Sequence, residues 1–386
     1  MASFSIELQL LLDAVHWRIH GASLKLQEPL KPAVEFDEAV LFKLAKRHNL
    51  LPWLLPYAKA FSIGSEGFIK DIVSYLLKAG IRQQLQTLEL TRISTLLKEQ
   101  HVDHAVLKGV SIEKQFYKGF VDSRYSDDID LLVLPRDLRK VSDLLLANGY
   151  QVSEAYDVSK LSRFLDHHEA WFRWRDISFK KQTLGKESVD LHWRIADEFT
   201  IPVGTKMLLK ELESVPVNHE DIPSLSFSTL FVFVCVHAYI DYFFRLRHLV
   251  DVYTAMQQPE FDLDEVTTIA KTWGVEDKVC ASIATAEDFF SGALSNSRSA
   301  YSDLVRQRFI DANGAPVRSH PNSGEWSAKD KRRHLFTQVK FRSKKSWFFA
   351  PLVARCKYNH EMVAKWPEGR SAFFWYPFAL VARLFP

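Results

Sequence analysis

Apolar residues recur every three or four positions through the first part of the chain, the spacing that places them on one face of an α-helix. The segment Ile72 to Gln100 keeps this spacing long enough for one long amphipathic helix. Pro52 and Pro56 interrupt the pattern before it, since proline removes a backbone donor and disfavours a helix interior. We therefore predict an all-helical region over residues 1–100.

Between residues 101 and 215 the pattern changes to an alternation of apolar and polar positions, which is typical of half-buried β-strands. It predicts strands over Ala105–Leu107 and Asp128–Val133, and a hairpin made of Asp176–Lys181 and Ser188–Arg194. We expect these strands to form a mixed sheet with helices packed against it.

Two connections carry helix signals. Ser111 is expected to cap a helix that runs to about Tyr117, because its hydroxyl can accept from an unpaired backbone N–H. Pro135 opens a second helix, which Asn148-Gly149 ends, and Tyr150–Val152 then reads as a further strand.

The most apolar segment, residues 225–244, is about 20 residues long, which is enough to span a bilayer. However, His237 and Asp241 lie one helical turn apart within it, and Arg245 and Arg247 follow directly. We predict a buried helix of a globular lobe, with its polar residues facing a cleft and no transmembrane segment.

These patterns predict an α/β (α+β) architecture in which a mixed β-sheet core is flanked by N-terminal and C-terminal α-helical regions. A polar stretch rich in Pro, Ser and Gly near residue 320 is expected to be a linker. The expected divisions are an N-terminal helical region over 1–100, the sheet core over 101–215, a helical lobe over 216–320 and a basic, aromatic helical tail over 321–386.

The composition is that of an ordinary globular protein, with 386 residues, 47% of them hydrophobic and 25% charged. Cys235, Cys280 and Cys356 are too far apart to form a metal or redox motif, which favours a reducing, cytoplasmic location. The first residues lack a basic region before the apolar ones, so they do not read as a secretory signal.

Positive charge is concentrated at the end of the chain. Residues 312–386 hold 14 Lys or Arg against 4 Asp or Glu, a local +10 in a chain of net charge +3. Aromatic clusters such as Phe373–Tyr376 interleave with these cations. The tail is suited to nucleic acid, anionic lipid or a phosphorylated substrate. The alternative is that the basic residues form a solvated face and that the aromatic residues dock on the helical lobe.

The candidate chemistry lies on three carboxylates. Asp128 and Asp130 fall on the polar face of one predicted strand, and Asp190 falls on the polar face of another. Paired carboxylates repel each other unless a cation lies between them, and Mg²⁺ prefers such oxygen ligands. Lys108-Gly109 follows the first strand, where a cation and a tight turn can receive phosphate. The structural alternative is an acidic turn that leads into a core strand.

A second group of possible metal ligands consists of His167, His168 and Glu169, which with His192 have the donor types that zinc prefers. The alternative is a set of polar residues that face solvent or substrate before a strand.

Three motifs together resemble a known family: Leu107-Lys108-Gly109, then Arg124 followed by Asp128–Val133, then Val189–Trp193. They are similar to the uncharacterised nucleotidyltransferase family of the polymerase-beta-like superfamily, over about two thirds of the chain. The series His237, Arg245, Leu246 and Asp251 resembles the helical signature of the same family, whose members often have a second histidine where this chain has Asp241.

The resemblance implies a nucleotidyltransferase-type sheet and transfer of a nucleotide from an NTP, with ATP the expected donor, to a hydroxyl or similar acceptor. It implies that Asp128, Asp130 and Asp190 hold Mg²⁺ (or Mn²⁺) and carry the catalysis. The residues expected at the phosphates are Lys108, Gly109, Ser111 and Arg124, and those expected beside the acceptor are His192, His237, Asp241 and Arg245.

Some of these roles have alternatives. The superfamily has a Gly-Ser pair at the phosphates, whereas Val110 separates Gly109 from Ser111 here. Arg124 can instead pin the loop before the carboxylate strand, and Arg245 or Arg247 can pair with Asp251. For the whole chain, the alternatives are a non-catalytic module that keeps the fold and binds a nucleotide or partner, and transfer of a different group from a nucleotide donor.

Overall fold

The structure is a computed structural model. It describes residues 4–21, 35–120, 122–153, 175–181, 188–195, 203–241, 243–290 and 300–311. The predicted group of His167, His168 and Glu169 lies outside the described residues, as do the basic tail from residue 312 and the linker near residue 320.

The N-terminal region is helical, as predicted. Its helices are α1 (Ile6–His20), α2 (Glu38–His48), α3 (Leu51–Phe61) and α4 (Glu66–Glu99). The long helix α4 begins earlier than its apolar pattern indicated, because the hydroxyl of Ser65 accepts from the backbone N–H of Phe68 and caps it.

The prediction that Pro52 and Pro56 interrupt the helices was wrong, because both lie within α3. Pro52 occupies the first turn, where its missing N–H has no helical partner to lose. Pro56 has no N–H to give to the carbonyl of Pro52, and the guanidinium of Arg18 donates to that carbonyl instead at 2.6 Å. A neighbouring helix therefore supplies the hydrogen bond that the proline removes.

The centre is a mixed sheet of seven strands, as the fold prediction required. The strands are β1 (His104–Val106), β2 (Ile129–Val133), β3 (Gln151–Val152), β4 (Asp176–Lys180), β5 (Ser188–His192), β6 (Leu212–Val217) and β7 (Glu220–Leu225). Their order is β3-β4-β5-β2-β1-β7-β6, with β2 parallel to β5, β1 parallel to β7, and the other neighbours antiparallel. The sheet thus extends to Leu225, beyond the boundary expected at residue 215.

Helices connect the strands. They are α5 (Val110–Phe116), a 3₁₀ turn (Pro135–Asp137) that leads into α6 (Leu138–Ala147), and the short α7 (Thr205–Leu208). The prediction that Ser111 caps α5 was wrong, because Gly109 is the N-cap residue and Ser111 lies inside the helix.

The remaining helices form the rear of the molecule. They are α8 (Phe227–Ile240), α9 (Leu246–Met256), α10 (Leu263–Trp273), α11 (Glu276–Phe290) and α12 (Ala300–Asp311). Of the described helices, none is long and apolar enough to cross a bilayer, and α8 is a buried helix as predicted.

The two faces of the sheet contribute to different apolar clusters. Ile129, Leu131 and Val133 of β2 join one cluster with residues of α6 and the end of α4. Leu132 joins the other, which runs through the N-terminal and rear helices. The alternation predicted for β2 is thereby confirmed, and Asp130, between Ile129 and Leu131, faces the side of the rear helices.

Candidate active site

The parallel pairing of β2 with β5 places two of the predicted carboxylates side by side. Asp130 is the register partner of Asp190, with Ile129 opposite Val189 and Leu131 opposite Leu191. Because register partners in a sheet share a face, the apolar side chains lie on one face and the two carboxylates on the other. Strand pairing therefore joins residues that are 60 positions apart in the sequence.

Asp130 is the buried centre of the site, with 2% of its surface exposed. The ammonium of Lys108 donates to its Oδ1 at 2.9 Å, and Nε2 of His192 lies 2.9 Å from the same oxygen. Burial alone would raise the pKa of Asp130, but these two neighbours more than offset burial and lower it well below its ordinary range. Asp130 is therefore an ionised carboxylate held between two nitrogen donors.

Asp128, directly before β2, has the opposite electrostatics. Burial and the neighbouring Asp130 raise its pKa to about 6, with a smaller contribution from Asp190 and partial relief from Lys108. Burial and Asp130 likewise raise the pKa of Asp190. A third carboxylate charge is thus costly here, and a bound cation would remove that cost.

The neighbouring strand β4 adds residues that the sequence analysis missed. The hydroxyl of Ser178 donates to Asp190 Oδ1 at 2.5 Å, and Asp176 Oδ2 lies 3.7 Å from Nδ1 of His192. Arg175 donates to Asp176 at 2.9 Å. The signal was available, because Asp176-Ile177-Ser178-Phe179 alternates and so places Asp176 and Ser178 on the polar face.

His192 lies on the carboxylate face itself. It follows Asp190 by two residues on β5, and its register partners are Leu132 of β2 and Asp176 of β4. The strand period therefore turns its side chain to the carboxylate face, where it contacts Asp130 directly.

The donors present fit a divalent metal. One oxygen of Asp130, one of Asp190 and a nitrogen of His192 all lie within 4.8 Å of one another. Asp128 adds a third carboxylate, close enough for Asp130 and Asp190 to raise its pKa. Carboxylate oxygens are the ligands that Mg²⁺ and Mn²⁺ prefer, and the repulsion among these groups is what a cation would offset.

Arg124 lies in the alternative role, holding the loop before β2. Its guanidinium donates to Asp251 of α9 at 2.9 and 3.3 Å and to the carbonyl of Gly109 at 3.0 Å. The pairing of Asp251 with Arg245 or Arg247 was therefore wrong. Arg247 donates to the Tyr125 carbonyl instead, at 2.9 Å.

Ser111 is fully buried, and its hydroxyl is hydrogen-bonded to Ser224 of β7 and to Gln115. A phosphate would have to break these bonds to reach it. Gly109 adopts a φ of +60°, a conformation that L side chains rarely adopt, and an added Cβ would lie 3.2 Å from Ser126 Oγ. The glycine thus permits the tight turn that carries Lys108.

The end of α8 forms a wall on the same side of the sheet as the carboxylates. His237 and Asp241 line a small pocket there together with Arg175, the residue directly before β4. Nδ1 of His237 lies 3.4 Å from Oδ2 of Asp241, and burial together with Lys108 lowers the pKa of His237 well below its usual range. The guanidinium of Arg245 lies 5.1 Å from the ring centre of Phe244.

Comparisons with known proteins concern the family of the chain. No curated protein matches the sequence. The chain is similar to the antibiotic-resistance factor ANT(2'')-Ia, whose structure was solved in solution, with 14% identity, a TM-score of 0.27, and coverage of 59% of this chain and 92% of that one. Residues 34–291, which include every described carboxylate of the site, match the family described as uncharacterised nucleotidyltransferase. The chain therefore belongs to that family of nucleotidyltransferases.

Proposed function

We propose that the protein transfers a nucleotide from an NTP, with ATP the expected donor, to a hydroxyl or similar acceptor, in a reaction that requires Mg²⁺ or Mn²⁺. The observation that carries the proposal is the register of β2 with β5, which joins Asp130 and Asp190 on one face beside Asp128. Their mutual repulsion, seen in the raised pKa of Asp128 and Asp190, is a cost that a purely structural role does not explain.

In the proposed reaction Asp128, Asp130 and Asp190 hold the metal. When bound, the metal neutralises triphosphate charge and stabilises the charge that develops on the attacking and leaving oxygens. Asp190 would receive the proton of the acceptor, and the hydrogen bond from Ser178 fixes one of its oxygens. His192 orients Asp130 through the bond to Oδ1.

Lys108 supplies the positive charge next to the carboxylates. Burial lowers its pKa, but the Asp130 carboxylate outweighs burial and the net pKa is raised, so the side chain is a permanent cation. We propose that this ammonium contacts phosphate in the loaded site. Gly109 shapes the turn that carries it, and Arg124 holds that turn from below.

The acceptor would lie between the carboxylates and the wall formed by the end of α8. His237 and Asp241 are polar groups of this wall, and the apolar Phe233 and Ile240 lie beside them. We propose that Arg245, at the start of α9, also faces the acceptor. A polar acceptor with an apolar portion fits such a lining.

The test uses the full chain with each NTP, Mg²⁺ or Mn²⁺, and a panel of acceptors, and measures pyrophosphate release and the mass gain of the acceptor. We expect Asp128→Asn and Asp130→Asn each to lower turnover at least about 100-fold, since each removes a metal ligand. Asp127→Asn is the matched control, because Asp127 is exposed in the same loop, and it should keep wild-type turnover.

Two outcomes would contradict the proposal. If Asp130→Asn turns over at the wild-type rate, the carboxylates are not the metal ligands of the reaction. If the protein binds NTP in the presence of Mg²⁺ but releases no pyrophosphate with any acceptor, the chain is a binding module that keeps the fold.

A further inference from the structure

A second group of metal-ligand side chains meets where α8 ends and α9 begins. His237 lies in the last turn of α8, Asp241 is the C-cap residue of that helix, and His248 lies in the first turn of α9. One donor atom from each residue lies within 4.8 Å of the other two. We propose that these three residues form a transition-metal site, separate from the carboxylate centre, with zinc as the expected ion.

The distances suit a shared metal. Nδ1 of His237 and Oδ2 of Asp241 are 3.4 Å apart. Two ligands of a tetrahedral zinc, at bond lengths of about 2.0–2.1 Å, are about 3.3 Å apart. The rings of His237 and His248 are perpendicular, with centroids 6.0 Å apart. Two imidazoles on one tetrahedral zinc have ring centres about 5.2 Å apart by the same bond lengths, so the two rings would move together by less than about 1 Å to share an ion.

An unsatisfied nitrogen is the second, independent observation. His248 is only 9% exposed, and its Nδ1 has no hydrogen-bond partner among the residues that the structure describes. A buried polar atom without a partner costs about 1–3 kcal/mol. Rotating the ring by half a turn about its bond to Cβ exchanges the positions of Nδ1 and Cδ2, so Nδ1 can lie on either side of the ring. A bound ion would supply the missing partner.

The donor types decide which metal fits. Two imidazoles and one carboxylate favour zinc or a similar borderline metal, whereas Mg²⁺ prefers oxygen ligands alone. Arg247, Arg245 and Lys108 act electrostatically on His248, and they disfavour a weakly held, hydrated cation. The Asp251 carboxylate acts on His248 in the opposite direction, and an ion that bonds strongly to nitrogen is the one expected here.

Three protein ligands leave one position of a tetrahedral zinc open. The site lies at the pocket that His237 and Asp241 form with Arg175, so the open position is available to a small ligand or water there. This inference does not depend on nucleotidyl transfer, because zinc binding can be measured without any nucleotide.

The experiment uses the full chain, stripped of metal with a chelator that is then removed. Zinc is titrated against a coloured competing chelator with millimolar Mg²⁺ present, and Co²⁺ is added separately to record its visible d–d absorption. We expect about one tightly bound zinc per chain and a tetrahedral Co²⁺ spectrum. His237→Gln and Asp241→Asn should each lower zinc affinity more than about tenfold, and His219→Gln, at an exposed histidine, should change nothing.

The two ligand variants keep the test informative, since the side chains of His237 and Asp241 are 22% and 27% exposed and tolerate replacement better than the buried His248. Thermal unfolding checks that each variant is folded. The proposal fails if the wild-type chain binds no zinc under these conditions. It also fails if zinc affinity survives both variants but is lost in His192→Gln or in a His167→Gln/His168→Gln chain, because the ion then lies elsewhere.

Discussion

At the scale of single residues, the carboxylate face separates two aspartates that the sequence presents as equals. Asp130 is ionised because Lys108 and His192 contact one of its oxygens. Asp128, two positions earlier, has a pKa of about 6 because it is buried beside the charge of Asp130. In the absence of metal, the contributions of the two groups to the free energy of unfolding therefore change with pH in opposite directions.

The raised pKa of Asp128 gives a prediction with a definite sign. The folded chain holds the proton of Asp128 more tightly than the unfolded chain does, so the contribution of Asp128 to the free energy of unfolding should fall as pH rises from about 4 to 6 and stay low above. In chelator, Asp128→Asn should then be more stable than the wild type at pH 7, by up to about 3 kcal/mol. The difference should vanish below pH 4.

Urea unfolding at several pH values measures this, with Asp127→Asn as the control at an exposed carboxylate of the same loop. Mg²⁺ should reverse the order, since it stabilises only the chain that keeps the ligand. An Asp128→Asn chain that is less stable than the wild type at pH 7 in chelator would show that the carboxylates do not repel one another.

The residues of the site differ in how far the sequence reveals them. The shared face of Asp130 and Asp190 could be predicted because each alternates with apolar residues, and that alternation is present in β2 and β5. Asp128 follows the same spacing but lies directly before β2. The environment of Asp130 could not, because Lys108 and His192 reach it from two other segments. Periodicity states which face a residue occupies, and it does not state which neighbour lies across that face.

At the scale of elements, one buried ion pair joins three parts of the chain. Arg124 and Asp251 have side chains that are each 5% exposed. The hydroxyl of Tyr117, at the end of α5, donates to Asp251 at 2.5 Å, and Arg124 also donates to the carbonyl of Gly109. The pair therefore fixes α9 against α5 and against the turn that carries Lys108.

Replacing only one residue of this pair should destabilise the protein strongly, because the other residue is then a buried charge without a partner. We expect Asp251→Asn or Arg124→Met to lower the free energy of unfolding at pH 7 by about 3–5 kcal/mol, as measured by urea unfolding. Arg124 holds the pKa of Asp251 below its ordinary range despite burial, so the effect should persist across neutral pH and fade only in acid.

The exposed pair Lys118–Glu260 provides the comparison, and Glu260→Gln should cost less than about 1 kcal/mol. If Asp251→Asn is as mild as Glu260→Gln, the elements are held together by apolar packing alone.

The strands and most of the helices that meet here could be predicted from the sequence, since their patterns are local. The pairing of Arg124 with Asp251 could not be predicted, because the two residues lie 127 positions apart in the sequence.

At the scale of the whole molecule, the site lies between the sheet and the rear helices. Strands β2 and β5 carry Asp130 and Asp190, and the end of α8 supplies the opposite wall. One apolar cluster runs from the N-terminal helices through α8 to α12, so the wall is fixed by the largest core of the described chain. Periodicity in the sequence predicted the N-terminal helices, the sheet and the rear helices. How these three regions pack against one another depends on contacts between distant segments, which periodicity does not show.

The register of β2 with β5 also sets when the site can exist during folding. Parallel pairing of strands whose partners are 60 positions apart forms late, since the chain must first close a long loop. The carboxylates of β2 and β5 are consequently apart both in the unfolded chain and in an early transition state, so Mg²⁺ has no assembled site to bind in either state. We expect Mg²⁺ to slow unfolding in stopped-flow experiments while the refolding rate stays almost constant, as for contacts absent from the transition state. Bound metal would then stabilise the folded chain only after folding is complete. An equal increase in the refolding rate would show instead that the two strands pair early.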